Sequence, residues 1–268
     1  MLPLLLWVRR FNLHLSKAER TAAITRSIAS GERLPIASFD SRKYIQHNVH
    51  IGDGLEPILA FMDALPPERT RANVVRLFED GDYSIVHADY ELGDWGPMVG
   101  FEVHRWENDR IVEHWDNLCS TPPETNSSGH TMTDGETELS ELDRTEQNRV
   151  LVQHFTSEVL IDRKLDGLSR FFHEGKLIQH SPHYGDGIHA LLHRLSCRRD
   201  EGELRYERVH RILGQGNMVL AMSEGTLDYK PTALYDLYRL SAGFISEHWE
   251  IFQEIPPFSE WQNENGKF

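Results

Sequence analysis

Two short runs of this chain set carboxylates and imidazoles at a spacing that suits proton transfer. The first, Phe101-Glu-Val-His-Arg-Trp-Glu-Asn-Asp-Arg-Ile-Val-Glu-His-Trp-Asp116, reads as a strand, a tight turn and a second strand closing on Glu-His-Trp-acid. It returns as Tyr235-Asp-Leu-Tyr-Arg-Leu-Ser-Ala-Gly-Phe-Ile-Ser-Glu-His-Trp-Glu250. Glu102 is answered by Asp236, His114 by His248 and Asp116 by Glu250, always 134 residues on. A hairpin spelled twice, half a chain apart, marks an internal duplication. In a cavity, a carboxylate beside an imidazole can have its pKa drawn toward neutrality. It can then take a proton α to a carbonyl and return it to oxygen.

Whether those groups meet depends on the turn. Alternate residues of a strand share a face, so His114 and Asp116 point together. A two-residue loop at Asn108-Asp109 sets Val103 opposite His114. A three-residue loop, 107 to 109, sets Glu102 opposite His114 and brings His104 to the same face. The second copy has Ser241-Ala242-Gly243 there, and its glycine suits a positive φ, so three residues are expected. Trp115 and Trp249 fall on the opposite parity and are expected to pack rather than to touch a ligand.

Further candidates flank this set. His47 and His50, with His180 and His183, repeat His-x-x-His. With Asp53 nearby they have the chemistry of metal ligands, but such spacing alone is weak, and neither a metal nor a cofactor is expected. His47 and His180 are instead expected at the pocket mouth or on the backbone of their turns, with Asp53 and Asp186 capping the helices that follow. Tyr44, His87 and His104 are candidate pocket groups of the first copy; Asp236, His248 and Glu250 are those of the second.

The elements that position these groups repeat as well. Ser16 to Glu19 spells a capping box before a short apolar stripe that ends at Gly31. Leu55, Ile58, Leu59, Met62 and Leu65 give a second helix, stopped by Pro66-Pro67. Residues 72–79 and 83–91 flank Asp80-Gly81-Asp82, a hairpin signal. Asp143 and Glu146 then open a helix, Ile188, Leu191, Leu192 and Leu195 another, and strands over 205–213 and 217–228 precede the last hairpin. The pattern predicts two α+β domains, 1–119 and 141–268, joined by a polar linker at 120–140.

The totals exclude several classes. With 28 Lys and Arg against 42 Asp and Glu, the net charge is −14, which lacks the basic footprint of a nucleic-acid binder. Leu2-Pro-Leu-Leu-Leu-Trp-Val8 is too short to span a bilayer, and Arg9-Arg10 follow it, the wrong order for a secretory signal. It is read as a packed or frayed tail, and the cytoplasm as the compartment. Cys119 and Cys197 occupy unrelated places in the two copies and are expected to be free thiols.

Tyr44-Ile-Gln-His-Asn48, then Gly52-Asp-Gly54, then Glu113-His-Trp-Asp116, resembles the SnoaL-like branch of the nuclear transport factor 2 superfamily, above all its aldol-condensation, polyketide cyclase-like members. The resemblance covers about 43–118 and, less closely, 176–252. It implies tandem cone-shaped α+β barrels, each a curved antiparallel sheet around helices with an open-ended pocket. It also implies sheet-to-sheet pairing, hence an intramolecular pseudo-dimer, with a homodimer of the whole chain left open. In this family the acid after His-Trp is the acid/base. The matching positions are Asp116, His114 and Glu102; in the second copy Asp236 and His248 match while Glu250 replaces Asp. The implied activity is cofactor-independent lyase or isomerase chemistry on a small carbonyl compound or apolar ligand. The rivals are a non-catalytic binding or assembly module, a hydrolase and a metal enzyme. The hydrolase needs an Asp-Arg-Asp-like cluster, for which Arg105 has the wrong parity.

Overall fold

A computed structural model describes residues 15–196 and 203–268. The apolar tail at 2–8 and Cys197 lie outside the described residues. Two compact units divide the chain. The first comprises Met1–Asp116 with Pro257–Phe268, the second Asn117–Pro256.

In the first unit, α1 (Lys17–Ser30) opens on the expected capping box. Ser16 Oγ accepts from the Glu19 amide, and the Glu19 carboxylate accepts from the Ser16 amide. Gly31, at φ 69°, closes it. Its face of Ala18, Ala22 and Ile24 is buried and packs on β2 (Thr70–Asp80) and β3 (Tyr83–Leu92). With β1 (Ile45–Gln46), α2 (Leu55–Ala64), β4 (Pro97–Glu107) and β5 (Arg110–Ser120), the sheet order is β1-β5-β4-β3-β2. All pairs described are antiparallel except β1 on β5, which is parallel and sets Gln46 beside His114.

The second unit repeats the plan. α3 (Thr145–His154) runs into a π-helical turn, Phe155–Ile161, that buries Phe155, Val159 and Leu160. The remaining elements are β6 (Ile178–Gln179), α4 (Ile188–Ser196), β7 (Leu204–Gln215), β8 (Met218–Leu227), β9 (Lys230–Ser241) and β10 (Phe244–Glu254). The order is β6-β10-β9-β8-β7, with β6 parallel to β10 at Gln179 and His248. Both halves therefore have the expected α+β class. Among the described residues no helix is long and apolar enough to cross a membrane.

The turn differs from the expected three residues. Each organising hairpin turns on two residues in left-handed backbone: Asn108 and Asp109 at φ 48° and 63°, Ala242 and Gly243 at 51° and 84°. In the second unit a bulge between Ile245 and Glu247 then inserts one residue, so His248 faces Tyr238 and Glu250 faces Asp236. A two-residue turn suits the strand twist, and the bulge restores the parity that the turn alone would reverse.

The segments after the two hairpins are also more structured than a linker. Each starts with Pro-Pro, at 122–123 and 256–257, and each delivers a buried asparagine. Asn126 Nδ2 donates to the carbonyls of Gln179 and Ser181, and Asn263 Nδ2 to those of Asn48 and Ile51. A carboxamide that satisfies two buried carbonyls holds its segment in place. Asp53 and Asp186, expected as helix caps, instead accept from the backbone amides of Gln46 and Gln179, while α2 begins on Gly54 with no side-chain cap. Replacing Ser16 by Ala should cost about 1 kcal/mol, the usual worth of such a cap, measured as a lower denaturant midpoint at unchanged slope.

Candidate functional site

Gln46 governs the first site. The Asn48 amide donates to Gln46 Oε1 at 2.9 Å, which fixes the orientation of the carboxamide. That same oxygen lies 2.8 Å from His114 Nδ1, while Gln46 Nε2 donates to the Tyr44 hydroxyl at 3.1 Å. An amide oxygen can only accept, so His114 Nδ1 carries a hydrogen. Its other nitrogen, Nε2, then meets Glu102 Oε2 at 2.6 Å with one proton between them. Tyr90 OH donates to Glu102 Oε1 at 2.8 Å and holds the carboxylate from behind.

The second site is wired differently. The Ser181 amide fixes Gln179 Oε1 at 2.8 Å, but Leu177 stands where Tyr44 stood. Gln179 Nε2 therefore turns to His248 and donates to Nδ1 at 2.9 Å. His248 Nδ1 accepts, so Nε2 bears the hydrogen and donates to Asp236 Oδ1 at 2.9 Å. Tyr206 donates to Asp236, and Ser181 Oγ and Tyr184 OH hold the two oxygens of Glu250. In this unit the proton has one address.

Charge in the first site follows from burial and neighbours. Burial pushes the His114 imidazole down, but the Glu102 hydrogen bond and the charges of Glu102 and Asp116 outweigh it and leave it above the ordinary value. His104, with its ring 4.5 Å from that of His114, is held well below by burial and by its neighbour. Burial likewise lifts the Tyr44 and Tyr90 hydroxyls, so both remain donors.

Glu102, His104, His114 and Tyr44 line a cavity of about 40 Å³, closed by apolar side chains such as Ile28, Ile58 and Met62. That is room for one or two waters. The corresponding hollow beside His248 and Glu250 is about 10 Å³, essentially filled by Phe155, Leu177 and Tyr238. Asp116 is buried in the same cluster but does not line the first cavity. Asn48 Nδ2 donates to its Oδ2 at 2.7 Å, and Lys267 Nζ sits 3.5 Å from Oδ1 while donating to the Asp116 carbonyl. Burial lowers the Lys267 ammonium against the opposing pull of Asp116 and Glu102.

Three candidates lie elsewhere. His47 is stacked on Trp115 with ring centroids 4.7 Å apart, with Nδ1 on the Gly266 carbonyl and Nε2 on Glu113, which also takes Arg105. His180 is stacked on Trp249 and bonds Thr131, Asp134 and Glu247. Both sit on the odd-numbered face of the hairpin, away from the hollow, because Glu113 and Glu247 alternate with His114 and His248. His87 pairs with Phe101 in the ladder and is buried beside Arg76, again on that opposite face. Conversely, sequence reasoning passed over Gln46 and Gln179 although both copies spell Ile-Gln-His. It had no signal for Tyr90 and Tyr206, which come from different strands, nor for Lys267, which comes from the chain's last residues.

No family model and no curated protein matches this chain. Solved structures similar to it each cover about two-fifths of it. A candidate ketosteroid isomerase from Kribbella flavida is 18% identical over 42% of this chain and 84% of its own, with a TM-score of 0.36. An LEH-like epoxide hydrolase from M. tuberculosis is 18% identical over 41% and 85%, with a TM-score of 0.34. IdmH, a candidate polyketide cyclase from Streptomyces antibioticus, is 17% identical over 37% and 89%, with a TM-score of 0.31.

Imidazole titration by NMR should separate the two histidines of the first cavity. His114 should lose its proton above the ordinary value of about 6.5, and His104 should stay neutral well below it. By linkage, His114 stabilises the fold fully below about pH 6.5 and loses that contribution as pH rises through its raised value. His104 weakens the fold as pH falls through the same ordinary value. Tyr44→Leu should move the His114 hydrogen from Nδ1 to Nε2, visible as exchanged ¹⁵N ring shifts; unchanged shifts would contradict the wiring above.

Proposed function

We propose that the first unit is an acid–base enzyme for a small carbonyl compound, of the aldol-condensation, polyketide cyclase-like or isomerase type. The supporting observation is the 2.6 Å contact of Glu102 Oε2 with His114 Nε2 at the cavity wall while Gln46 Oε1 faces Nδ1, beside the second unit's copy in which Gln179 Nε2 faces His248 Nδ1 and Nε2 faces Asp236. With the proton on His114, the pair offers a carboxylate base and an imidazolium acid within one hydrogen bond. Glu102 takes the proton from the carbon α to the carbonyl, and His114 Nε2 gives its proton to the carbonyl oxygen. One C–H bond breaks and one O–H bond forms; the return passes through the same enol.

Asp116, the acid that sequence favours as the base, serves here through its charge. Held by Asn48 and Lys267, it favours the imidazolium without touching the substrate. The second unit acts as a scaffold. The small first cavity restricts the substrate to compounds that can displace Ile58 and Met62. The same smallness favours a non-catalytic module of this fold as the second reading. For hydrolysis, Arg105 is committed to Glu113 on the far face and leaves no cavity arginine among the described residues.

Exchange of α-hydrogens of small ketones and β-keto esters in D₂O, followed by NMR, tests the proposal without a known product. Glu102→Gln should slow exchange by about 100-fold or more, Asp116→Asn by roughly tenfold, and Glu250→Gln not at all. Exchange by the wild type no faster than by Glu102→Gln would leave the binding module in its place.

A further inference from the structure

We infer that the first cavity is also a site for one divalent first-row transition ion, held by Glu102, His104 and His114. One ligand atom from each lies within 4.8 Å of the others. Two imidazoles and one carboxylate form a donor set suited to zinc, cobalt(II) or iron(II), and they leave positions open for water.

Three observations point to an occupant beyond the proton. His104 is 4% exposed and lines the cavity, yet its Nδ1 has no hydrogen-bond partner among the described residues. A buried ring nitrogen left unpaired is costly, and a ligand would satisfy it. The ligands already have the outer hydrogen bonds that metal sites use: Gln46 Oε1 takes the Nδ1 hydrogen of His114 and frees Nε2, and Tyr90 holds the second oxygen of Glu102. Finally, a hollow of about 40 Å³ is too small for most organic substrates but accommodates an ion with a water.

The second unit supplies the contrast. Asp236, His248 and Glu250 also cluster within 4.8 Å, but Tyr238 replaces His104 and stacks on His248 at 4.7 Å. His248 Nε2 carries its hydrogen toward Asp236, the wrong tautomer for a ligand, and the hollow is about 10 Å³. A third group, His130, Asp134 and His180, has both nitrogens of His180 engaged within the fold. The site therefore takes one ion per chain, in the first unit.

An ion there replaces the proton between Glu102 and His114, so metal-loaded and proton-transferring forms exclude one another. The inference stands apart from the acid–base proposal, and its readout is binding. Protein dialysed against EDTA is titrated with Co²⁺, followed by visible absorption and by metal content after desalting. One Co²⁺ per chain is expected, with a Kd on the order of 10 μM. His104→Phe, and His104→Gln as the milder variant, should weaken it at least tenfold, with folding checked by circular dichroism. His130→Ala should bind as the wild type does. No bound Co²⁺ at about 1 mM, undiminished binding in both His104 variants, or loss of binding in His130→Ala would overturn the inference. None of these outcomes bears on exchange by the metal-free protein.

Discussion

An amide that cannot turn over sets the character of both sites. Gln46 and Gln179 each receive a backbone N–H two residues on, at Asn48 and Ser181, and this pins the oxygen before any ring is considered. The parallel pairing of a two-residue strand then brings each amide against an imidazole. What the ring meets depends on what the amide nitrogen can find elsewhere. With Tyr44 present, the nitrogen is occupied and the oxygen serves His114; with Leu177, the nitrogen serves His248. A change from tyrosine to leucine two residues away thus decides which ring nitrogen is free, since a ring nitrogen facing a donor must accept and one facing an acceptor must donate.

The two copies also settle their buried charge by different means. The first sets Lys267 and the His114 imidazole against Glu102 and Asp116. The second surrounds Asp236 and Glu250 with hydroxyls from Tyr206, Tyr184 and Ser181. Hydroxyl donors suffice for carboxylates that stay put. A carboxylate–imidazole pair in one hydrogen bond is sensitive to charges nearby, because they favour one protonation state of the ring over the other. The divergence of the copies is thus a divergence of electrostatic environment on a shared backbone.

Much of this was legible in the sequence, though not always for the stated reason. The duplication, the α+β class and the gathering of Glu102, His104, His114 and Asp116 followed from repetition and parity. The turn did not: both hairpins turn on two residues, and in the second a bulge gives the face that three residues were expected to give, since one inserted residue shifts parity as a longer loop would. The side chains that finish each site were beyond reach. Tyr90 and Tyr206 serve equivalent carboxylates from β3 and β7, so no alignment of the copies pairs them. His47 and His180, expected at the pocket mouth or on the backbone of their turns, instead stack on Trp115 and Trp249, which no strand parity could foresee because neither histidine lies within a strand.

The chain's course after each hairpin has a consequence for dividing it. The stretch behind β5 belongs to the second unit, and the stretch behind β10 returns to the first. Severing the chain between Asp116 and Asn117 would therefore strip the front half of Asn263, which bonds the Asn48 and Ile51 carbonyls, and of the ammonium facing Asp116. The first unit is therefore closed by residues that follow the whole of the second in sequence. A front copy released on its own would thus lack both the carboxamide that ties down its turn and the cation beside its buried acid.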